Sequence, residues 1–515
     1  MSENEKAPLL SSDPVPIYPN LQPSDDPGKK VESSPVNDYP KIDINYSWSG
    51  WNDRGFAIAF WIHLIIVIIL AFALGIKAVH TDSIKPFDDP TRTVFDYNAS
   101  LFLRVFVGAA FCSGAVAFFA FFVLQRCAGR IIKCALYMGV AMQILLCITL
   151  FAVAWPMGLI TLIFVAISIW YIYKVRNRVA FAEAHIQVGC AALRSHPMIL
   201  GIAILMLFIQ LFWVLIWALM ALGFEHAING SENPHSSGGA GGLVTIVLMT
   251  SLFWGALTFR NITHFVTACI VGGWWFPEDE RQQYAVDTSV KRAFTTSFGT
   301  ISFGSLILAF IKALRFAAQA NEDRARQENN IVLLIFSCIS VCILRIFEGL
   351  ISYLNDWAFI FSALTGQSFR TASRSFLDLF EQRGWTMVVN DDLAGSALTI
   401  VTIAIGFVSA AIGGISVFVS MPQSGSRAAI AGMAAFFCFK IGIAMGTILS
   451  SILSSGVRTA FVCFAMNPAA LGVTHPEHLQ NLLDAWYKFH PDAFIQSGFA
   501  AQFPRPTASS SNIYA

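Results

Sequence analysis

The sequence predicts an all-α polytopic membrane protein with about ten transmembrane helices and both termini in the cytosol. Two observations carry this prediction. Apolar runs of spanning length recur along the 515 residues, and only 13% of the residues are charged. Soluble domains carry about 25% charged residues, so half of the usual surface charge is missing. The formal net charge of +1 gives no sign of nucleic-acid binding.

Three regions follow from composition. Residues 1–50 are rich in Pro, Ser, Asp and Lys and poor in bulky apolar residues, which predicts a disordered cytosolic tail. Residues 51–465 hold the apolar runs and form the predicted transmembrane domain. Residues 466–515 form a predicted cytosolic C-terminal tail with a short amphipathic helix at 475–489.

The N-terminal tail contains two patterns that resemble cytosolic sorting signals. They are the acidic-dileucine pattern EKAPLL at 5–10 and the tyrosine pattern YPNL at 18–21. Together they predict sorting adaptors as partners and an endosomal or vacuolar pool of the protein. Patterns this short also arise by chance, and that interpretation stays open.

Ten apolar runs can each cross a bilayer, which takes about 20 residues. The predicted spans are 56–76, 101–124, 134–154, 157–173, 197–223, 242–275, 293–315, 330–354, 395–420 and 428–464. The stretch 355–380 is amphipathic and open to three interpretations. It fits an interfacial helix, a re-entrant segment or the end of the eighth span.

The short loops set the orientation. Loops 125–133 and 174–181 are rich in Lys and Arg, which favours the cytosol. Loops 155–158 and 225–242 carry neither residue and are predicted to lie outside. Alternating from these loops places both termini inside.

Three N-x-S/T sequons test this orientation. Asn98 and Asn229 fall on the predicted outside and are predicted glycosylation sites. Asn261 begins a third sequon, but it lies within a span and is expected to stay unmodified. The predicted outside loops contain no cysteine, so no extracellular disulfide framework is expected.

Small residues near the C-terminus predict close helix packing. Gly406, Ala410 and Gly414 share one helix face, and Gly442 and Gly446 share another. Lipid tails supply no hydrophobic drive between helices, so small residues that let two backbones approach are a common means of association.

Polar side chains at bilayer depth are costly unless they face a partner or a cavity. Isolated examples in the predicted spans are His63, Gln143, Gln210, Arg345, Glu348 and Lys440. Arg345 and Glu348 are three residues apart on one helix face. That spacing fits a structural ion pair as well as a functional site.

The densest polar cluster lies in the sixth predicted span. Arg260, Asn261, Thr263 and His264 occupy the middle of the run 242–275. This run would be about 50 Å long as a helix, against a bilayer core of about 30 Å. It is expected to tilt, project or break, with Gly255, Gly272 and Gly273 as candidate break points. A hydrogen-bonded helix contact and a polar path for a solute both fit the cluster.

Motifs of enzyme chemistry are not found in the sequence. It contains no P-loop pattern, no H-E-x-x-H, no Cys-x-x-Cys pair and no G-x-S-x-G. We therefore expect neither an enzyme nor a bound cofactor or metal.

Three blocks resemble a known family. They are NITHFVTACIVGGWWF at 261–276, SFGTISFGSLILAFIKALR at 297–315 and LNDWAFIFSALTGQSFRTASRSF at 354–376. In content and order they are similar to the signature blocks of the choline transporter-like family, solute carrier family 44. The resemblance covers about 200–460, and the short first external loop resembles the fungal branch. It implies a carrier or facilitator of the plasma membrane.

The resemblance implies choline or a related small organic cation as substrate. A quaternary ammonium donates no hydrogen bonds and is held by aromatic faces, each contact contributing about 0.5–2 kcal/mol. The predicted substrate-binding residues are Trp213, Trp217, Trp254, Asn261, His264, Glu348, Tyr353 and Trp357. Glu348 or His264 would be the anionic or titrating partner, whereas Arg260 beside a cation path needs a partner that the sequence does not identify.

Two other function classes stay open. The chain could be a membrane scaffold or trafficking protein whose tail recruits adaptors. It could also handle lipids, as a scramblase does, which requires a lateral groove with a polar lining. A cavity near the bilayer centre, walled by the sixth and eighth spans, would favour the carrier.

Overall fold

The computed structural model describes residues 50–76, 155–175, 179–229, 239–277, 284–384, 393–420 and 427–504, together with residue 46 and isolated positions between 115 and 151. Helices dominate these residues, so the all-α prediction is confirmed. In chain order they are α1 Arg54–Leu70, continued by the π-helical segment Ala71–Gly75, α2 Trp155–Val175, α3 Val179–Ser195, α4 Met198–Asn229, α5 Gly239–Trp275, α6 Val286–Phe294, α7 Phe298–Gln327, α8 Ile331–Thr365, α9 Phe369–Gln382, α10 Leu393–Ser420, α11 Arg427–Met466, α12 Pro468–Thr474, α13 Pro476–Phe489, α14 Pro491–Gln496 and α15 Phe499–Gln502.

Seven helices of the described part are long and apolar enough to cross a membrane. The candidate spans are Arg54–Gly75, Met198–Phe224, Gly242–Trp275, Phe298–Gln327, Ile331–Thr365, Leu398–Val419 and Ile430–Met466. They match the first and the fifth to tenth predicted spans. The fourth, 157–173, lies within α2, but the part of α2 that counts as an apolar helix, Thr161–Tyr173, is too short to be a candidate span. The second and third, 101–124 and 134–154, lie mostly outside the described residues, so the count of ten and the orientation stay predictions.

Helix α5 runs unbroken through its 37 residues, so of the three predicted alternatives the break at a glycine does not occur. The glycines instead let neighbouring groups approach the helix. A Cβ at Gly255 would overlap the Trp213 indole, and one at Gly273 would lie 2.9 Å from the Tyr284 Cβ. The surplus length of α5 is therefore accommodated by tilt or projection.

The stretch 355–380 contains two structures. Helix α8 continues past the predicted end at 354 to Thr365, and Gly366 then ends it with φ of 75°. A separate amphipathic helix, α9, begins at Phe369. Its buried side chains recur at helical spacing and are Phe369, Ala372, Phe376, Leu379 and Phe380.

The start of α1 is tied to α9 and α7 by Asp53. Its carboxylate accepts a 3.0 Å hydrogen bond from the Phe369 N–H and a 2.9 Å bond from the Thr300 hydroxyl. Ser368, the residue at the cap position of α9, makes no side-chain cap of its own. Asp53 therefore caps α9 from a distant part of the chain.

Helices α10 and α11 pack through small residues, as predicted. A Cβ at Gly442 would lie 2.8 Å from the Gly406 Cα, and one at Gly446 would lie 3.0 Å from the Thr402 Cα. A Cβ at Gly414 would lie 3.0 Å from the Ala435 Cβ. These separations leave no room for larger side chains, so the two backbones meet closely.

The C-terminal helices pack against the ends of α5 and α11. The Trp275 indole donates a 2.9 Å hydrogen bond to the Asn467 carbonyl, and the Thr474 hydroxyl donates to the Trp275 carbonyl. Trp274 stacks on His475 with ring centroids 4.0 Å apart. The stretch 475–489 forms helix α13, whose buried Trp486 stacks on Phe464.

Candidate functional site

A cavity of about 190 Å³ lies between four candidate spans, α4, α5, α8 and α11. Its polar lining residues are Gln210, Arg260, Asn261, Thr263, His264, Thr267, Asp356, Ser451, Ser454, Ser455 and Arg458. The apolar ones are Ala203, Met206, Leu207, Ile448 and Ile452. The four polar residues that the sequence grouped in the middle of 242–275 all line it.

The polar groups lie well inside the bundle. At 1.5 Å per residue, Arg260 is about 22 Å along α5 from its C-terminal end, and His264 about 16 Å. Asp356 and Arg458 are about 12–14 Å from the C-terminal ends of α8 and α11. These three ends lie on one side of the bundle in the predicted topology. The groups therefore lie inside helices that are long and apolar enough to cross a membrane, away from the helix ends.

Asp356 joins three helices at the cavity wall. Its carboxylate forms an ion pair and hydrogen bond with the Arg458 guanidinium. Its backbone carbonyl accepts a 3.0 Å hydrogen bond from the His264 Nε2, which assigns the proton of the neutral ring to that nitrogen. The Ser455 hydroxyl donates to the His264 carbonyl at 3.1 Å. The wall is thus held in place by the residues that give it polarity.

Asn261 faces both the cavity and helix α7. Its Nδ2 donates a 2.9 Å hydrogen bond to the Ser305 hydroxyl. Asn355 makes a similar link, because its Nδ2 donates to the Gly304 carbonyl at 2.7 Å. Both amides therefore brace neighbouring helices, and the Asn261 side chain forms part of the cavity wall as well.

Two of the predicted aromatic residues, Trp213 and Trp254, gather around His63 instead of the cavity. His63 stacks on Trp254 with centroids 4.8 Å apart and meets Trp213 edge-on at 5.5 Å. The indoles of Trp213 and Trp254 donate hydrogen bonds to the backbone carbonyls of Leu252 and Ser302. Trp217 is also buried, with 9% exposure, and does not line the cavity.

Trp357 and Tyr353 lie next to the cavity wall, not on it. Trp357 stacks on Phe376 of α9 with centroids 5.3 Å apart, and Tyr353 meets it edge-on at 5.9 Å. The Arg458 guanidinium lies 6.0 Å from the Trp357 ring centroid. Trp357 thereby supports the guanidinium that pairs with Asp356 in the wall.

Glu348 is paired, but its partners are not the residue that spacing suggested. Its carboxylate contacts the Lys312 ammonium at 2.5 Å and also the Arg315 guanidinium, both on α7. Arg345 is exposed and makes no ion pair with Glu348. The expected Arg345–Glu348 pair is wrong, because the neighbouring helix α7 offers two cations that contact Glu348 instead. Glu348 does not line the cavity.

Of the eight predicted binding residues, the cavity wall holds Asn261 and His264. The sequence analysis missed Asp356 and Arg458, which carry most of the wall's charge. Asp356 was not recognised as part of a span because the eighth predicted span ends at 354. The family-like block that begins LNDWAF nevertheless contains it. Arg458 was within a predicted span but was not singled out. The role of the aromatic candidates in substrate binding stays a prediction.

The structure describes one of the two predicted glycosylation sites. Asn98 lies outside the described residues. Asn229 is the last residue of α4, at the end that the predicted topology places outside. Glycosylation at both positions stays a prediction.

Comparison with known proteins finds a matching family model and several relatives. A family model described as plasma-membrane choline transporter matches residues 159–469. Protein PNS1 of Neurospora crassa is 25% identical over 340 residues, which are 64% of this chain and 61% of that protein. Protein PNS1 of Gibberella zeae is 28% identical over half of the chain, with 49% of its own length covered. A CTL-like protein of Dictyostelium discoideum is 25% identical over 63% of the chain and 56% of its own length. The chain thus spans about half to three fifths of these relatives' lengths.

Proposed function

Because the chain belongs to the family of plasma-membrane choline transporters, we propose that it is a carrier or facilitator that moves a small organic solute across a membrane. The cavity between α4, α5, α8 and α11 is its solute site. The proposed location is the plasma membrane, as the family description implies.

One observation carries this proposal, namely the polar wall between helices that are long and apolar enough to cross a membrane. Charged and hydroxyl side chains from α5, α8 and α11 face one another around empty space. Such groups are costly in hydrocarbon unless they serve a path or a partner. Polar sites between helices near the bilayer midplane are the usual arrangement in secondary transporters. Asn261 and His264 are the predicted binding residues that this arrangement supports.

The proposed cargo follows the family and is a small solute of the choline type. Asp356 is the carboxylate available in the wall to attract an ammonium group. His264, which donates to the Asp356 carbonyl, and Asn261, one turn away on α5, contribute hydrogen-bonding groups to the same wall. A solute of this size suits the cavity better than a lipid with two acyl chains, which favours a carrier over a lipid-handling protein.

Uptake of labelled choline tests the cargo. The full chain is expressed in a host that lacks its own choline transporters, and initial uptake is compared with that of an empty-vector strain. We expect saturable uptake that depends on expression. Uptake equal to the empty-vector level, with the protein shown at the cell surface, would remove choline from the proposal.

A cavity-filling substitution tests the site. Ser454→Phe places a ring in the cavity and is expected to abolish uptake at unchanged surface expression. Ile346→Phe is the matched control, because Ile346 is 67% exposed on the outer face of α8. It should transport like the native chain. Equal uptake by both variants would show that the solute does not pass through this cavity.

Removal of the tail separates the carrier from a trafficking scaffold. Deleting residues 1–45 leaves every span in place. A carrier should keep its transport rate per molecule at the membrane, although its distribution between membranes can change. A scaffold should lose its effect on the cell entirely when the tail is deleted. The Ser454→Phe variant of a scaffold should keep that effect unchanged.

A further inference from the structure

The charge of the cavity wall does not match a plain cation. Two guanidinium groups, those of Arg260 and Arg458, face the single carboxylate of Asp356. Asp356 and Arg458 form an ion pair. At neutral pH the charged groups of the wall therefore sum to one positive charge, and that charge belongs to Arg260.

Arg260 has no ion-pair or hydrogen-bond partner among the residues that the structure describes. It is an exposed side chain in the middle of α5, and what it faces is the cavity. A fixed cation at this depth is costly unless a counter-charge or water compensates it. The cavity supplies the space in which a counter-charge can sit.

The rest of the wall favours an anion over a quaternary ammonium. Among the described lining residues there is no Phe, Tyr or Trp, so the wall offers no benzene or indole face for a cation. It offers hydroxyl groups instead, from Thr263 and Ser454, together with the Gln210 amide. Hydroxyl and amide donors beside an arginine fork are the groups that hold carboxylates and phosphates.

We propose that the cavity binds a solute bearing an oxyanion group, a carboxylate or a phosphate, with that group held by Arg260. This rests on the proposed transport function and narrows its cargo from a plain cation to an anion or zwitterion. In a zwitterion the ammonium end faces Asp356 and the anionic end faces Arg260. A plain quaternary cation leaves Arg260 uncompensated and is repelled by it.

Matched probes test this proposal on the purified full chain in lipid nanodiscs. Choline, betaine and phosphocholine share the trimethylammonium group, and they differ in carrying a hydroxyl, a carboxylate or a phosphate. We expect betaine or phosphocholine to bind at least ten-fold more tightly than choline. The stronger of the two identifies the anionic group. Choline binding as tightly as both would overturn the proposal, as would no binding of either betaine or phosphocholine.

Substitution of Arg260 is the second test of the proposed oxyanion site. Arg260→Gln should weaken binding of the preferred anion at least ten-fold and leave choline binding unchanged or stronger. Arg260→Lys keeps the positive charge but lacks the planar guanidinium. Its affinity for the preferred probe should therefore lie between those of the native chain and Arg260→Gln. Arg374→Gln is the control, because Arg374 is an exposed cation on α9, outside the cavity. Native affinity for the anion in Arg260→Gln protein that retains native thermal stability would contradict the proposal.

Uptake by the same variants separates this inference from the proposed function. Choline uptake that is unaffected by Arg260→Gln, with no uptake of betaine or phosphocholine, would keep the transporter and remove the oxyanion site. Tight, Arg260-dependent binding without uptake of any probe would keep the oxyanion site and remove the transporter.

Discussion

Asp356 is the residue on which the geometry of the cavity wall depends. Its carboxylate pairs with Arg458 and its carbonyl accepts from His264, so α8, α11 and α5 meet at one residue. Removing one member of a poorly hydrated ion pair leaves an uncompensated charge. Both side chains are 21% exposed, so the remaining charge is only partly hydrated.

Asp356→Asn should therefore destabilise the protein by about 3 kcal/mol, because the Arg458 charge loses its partner. Arg458→Gln should act similarly, and the double variant should recover part of the loss. Thermal unfolding in detergent, followed by tryptophan fluorescence, measures each effect. Arg324→Gln is the control, since it breaks an exposed pair with Glu328 and should leave the melting temperature unchanged. Additive losses in the double variant would show that the two residues act independently.

The helices themselves were predictable where composition decides them. Runs such as 197–223 and 428–464 are apolar over the length of a bilayer, and the helices found there follow that length. Helix ends were less predictable, because they depend on tertiary contacts. Helix α8 continues to Thr365 beside α5 and α7, although Asn355 and Asp356 interrupt its apolar sequence after 354.

The amphipathic helix α9 shows the same dependence on tertiary contacts, because its cap comes from Asp53. Asp53→Ala should lower the melting temperature, since the loss of a capping carboxylate costs about 1 kcal/mol. Ser368→Ala is the matched control at the cap position itself. The Ser368 hydroxyl contacts only the Thr371 hydroxyl among its described partners and should change stability little. A larger effect of Ser368→Ala than of Asp53→Ala would contradict this assignment of the cap.

At the scale of the whole molecule, the cavity could not be located from the sequence. Its wall combines residues from four helices, and a single sequence states neither how each helix is rotated nor which helices touch. The polar cluster at 260–264 was visible because it lies within one run. Its partners Asp356 and Arg458 lie about 100–200 residues further along the chain. Aromatic residues were poor guides because they also fill the core, as the Trp213–His63–Trp254 cluster does.

Beyond the spans, helix α3 and the C-terminal helices form a packed layer that is centred on His185. Helix α3 is not among the candidate spans. His185 is 3% exposed and packs between Phe181, Phe461 and Trp486, and its Nδ1 lies 3.0 Å from the Phe181 carbonyl. Burial lowers the pKa of His185 from 6.5 to about 4. The hydrogen bond to the Phe181 carbonyl opposes this shift, and the charge of His490 adds a smaller lowering effect.

This layer should therefore loosen as the pH falls. The unfolded chain protonates His185 near pH 6.5, whereas the folded chain does so only near pH 4, so stability is lost progressively between these values. Between pH 7 and pH 5 the loss from this residue is about 2 kcal/mol. His185→Leu should remove that part of the pH dependence of the melting temperature, while His196→Gln, at the end of the same helix, should retain it. Identical pH profiles for His185→Leu and the native chain would show that another group couples this layer to the pH.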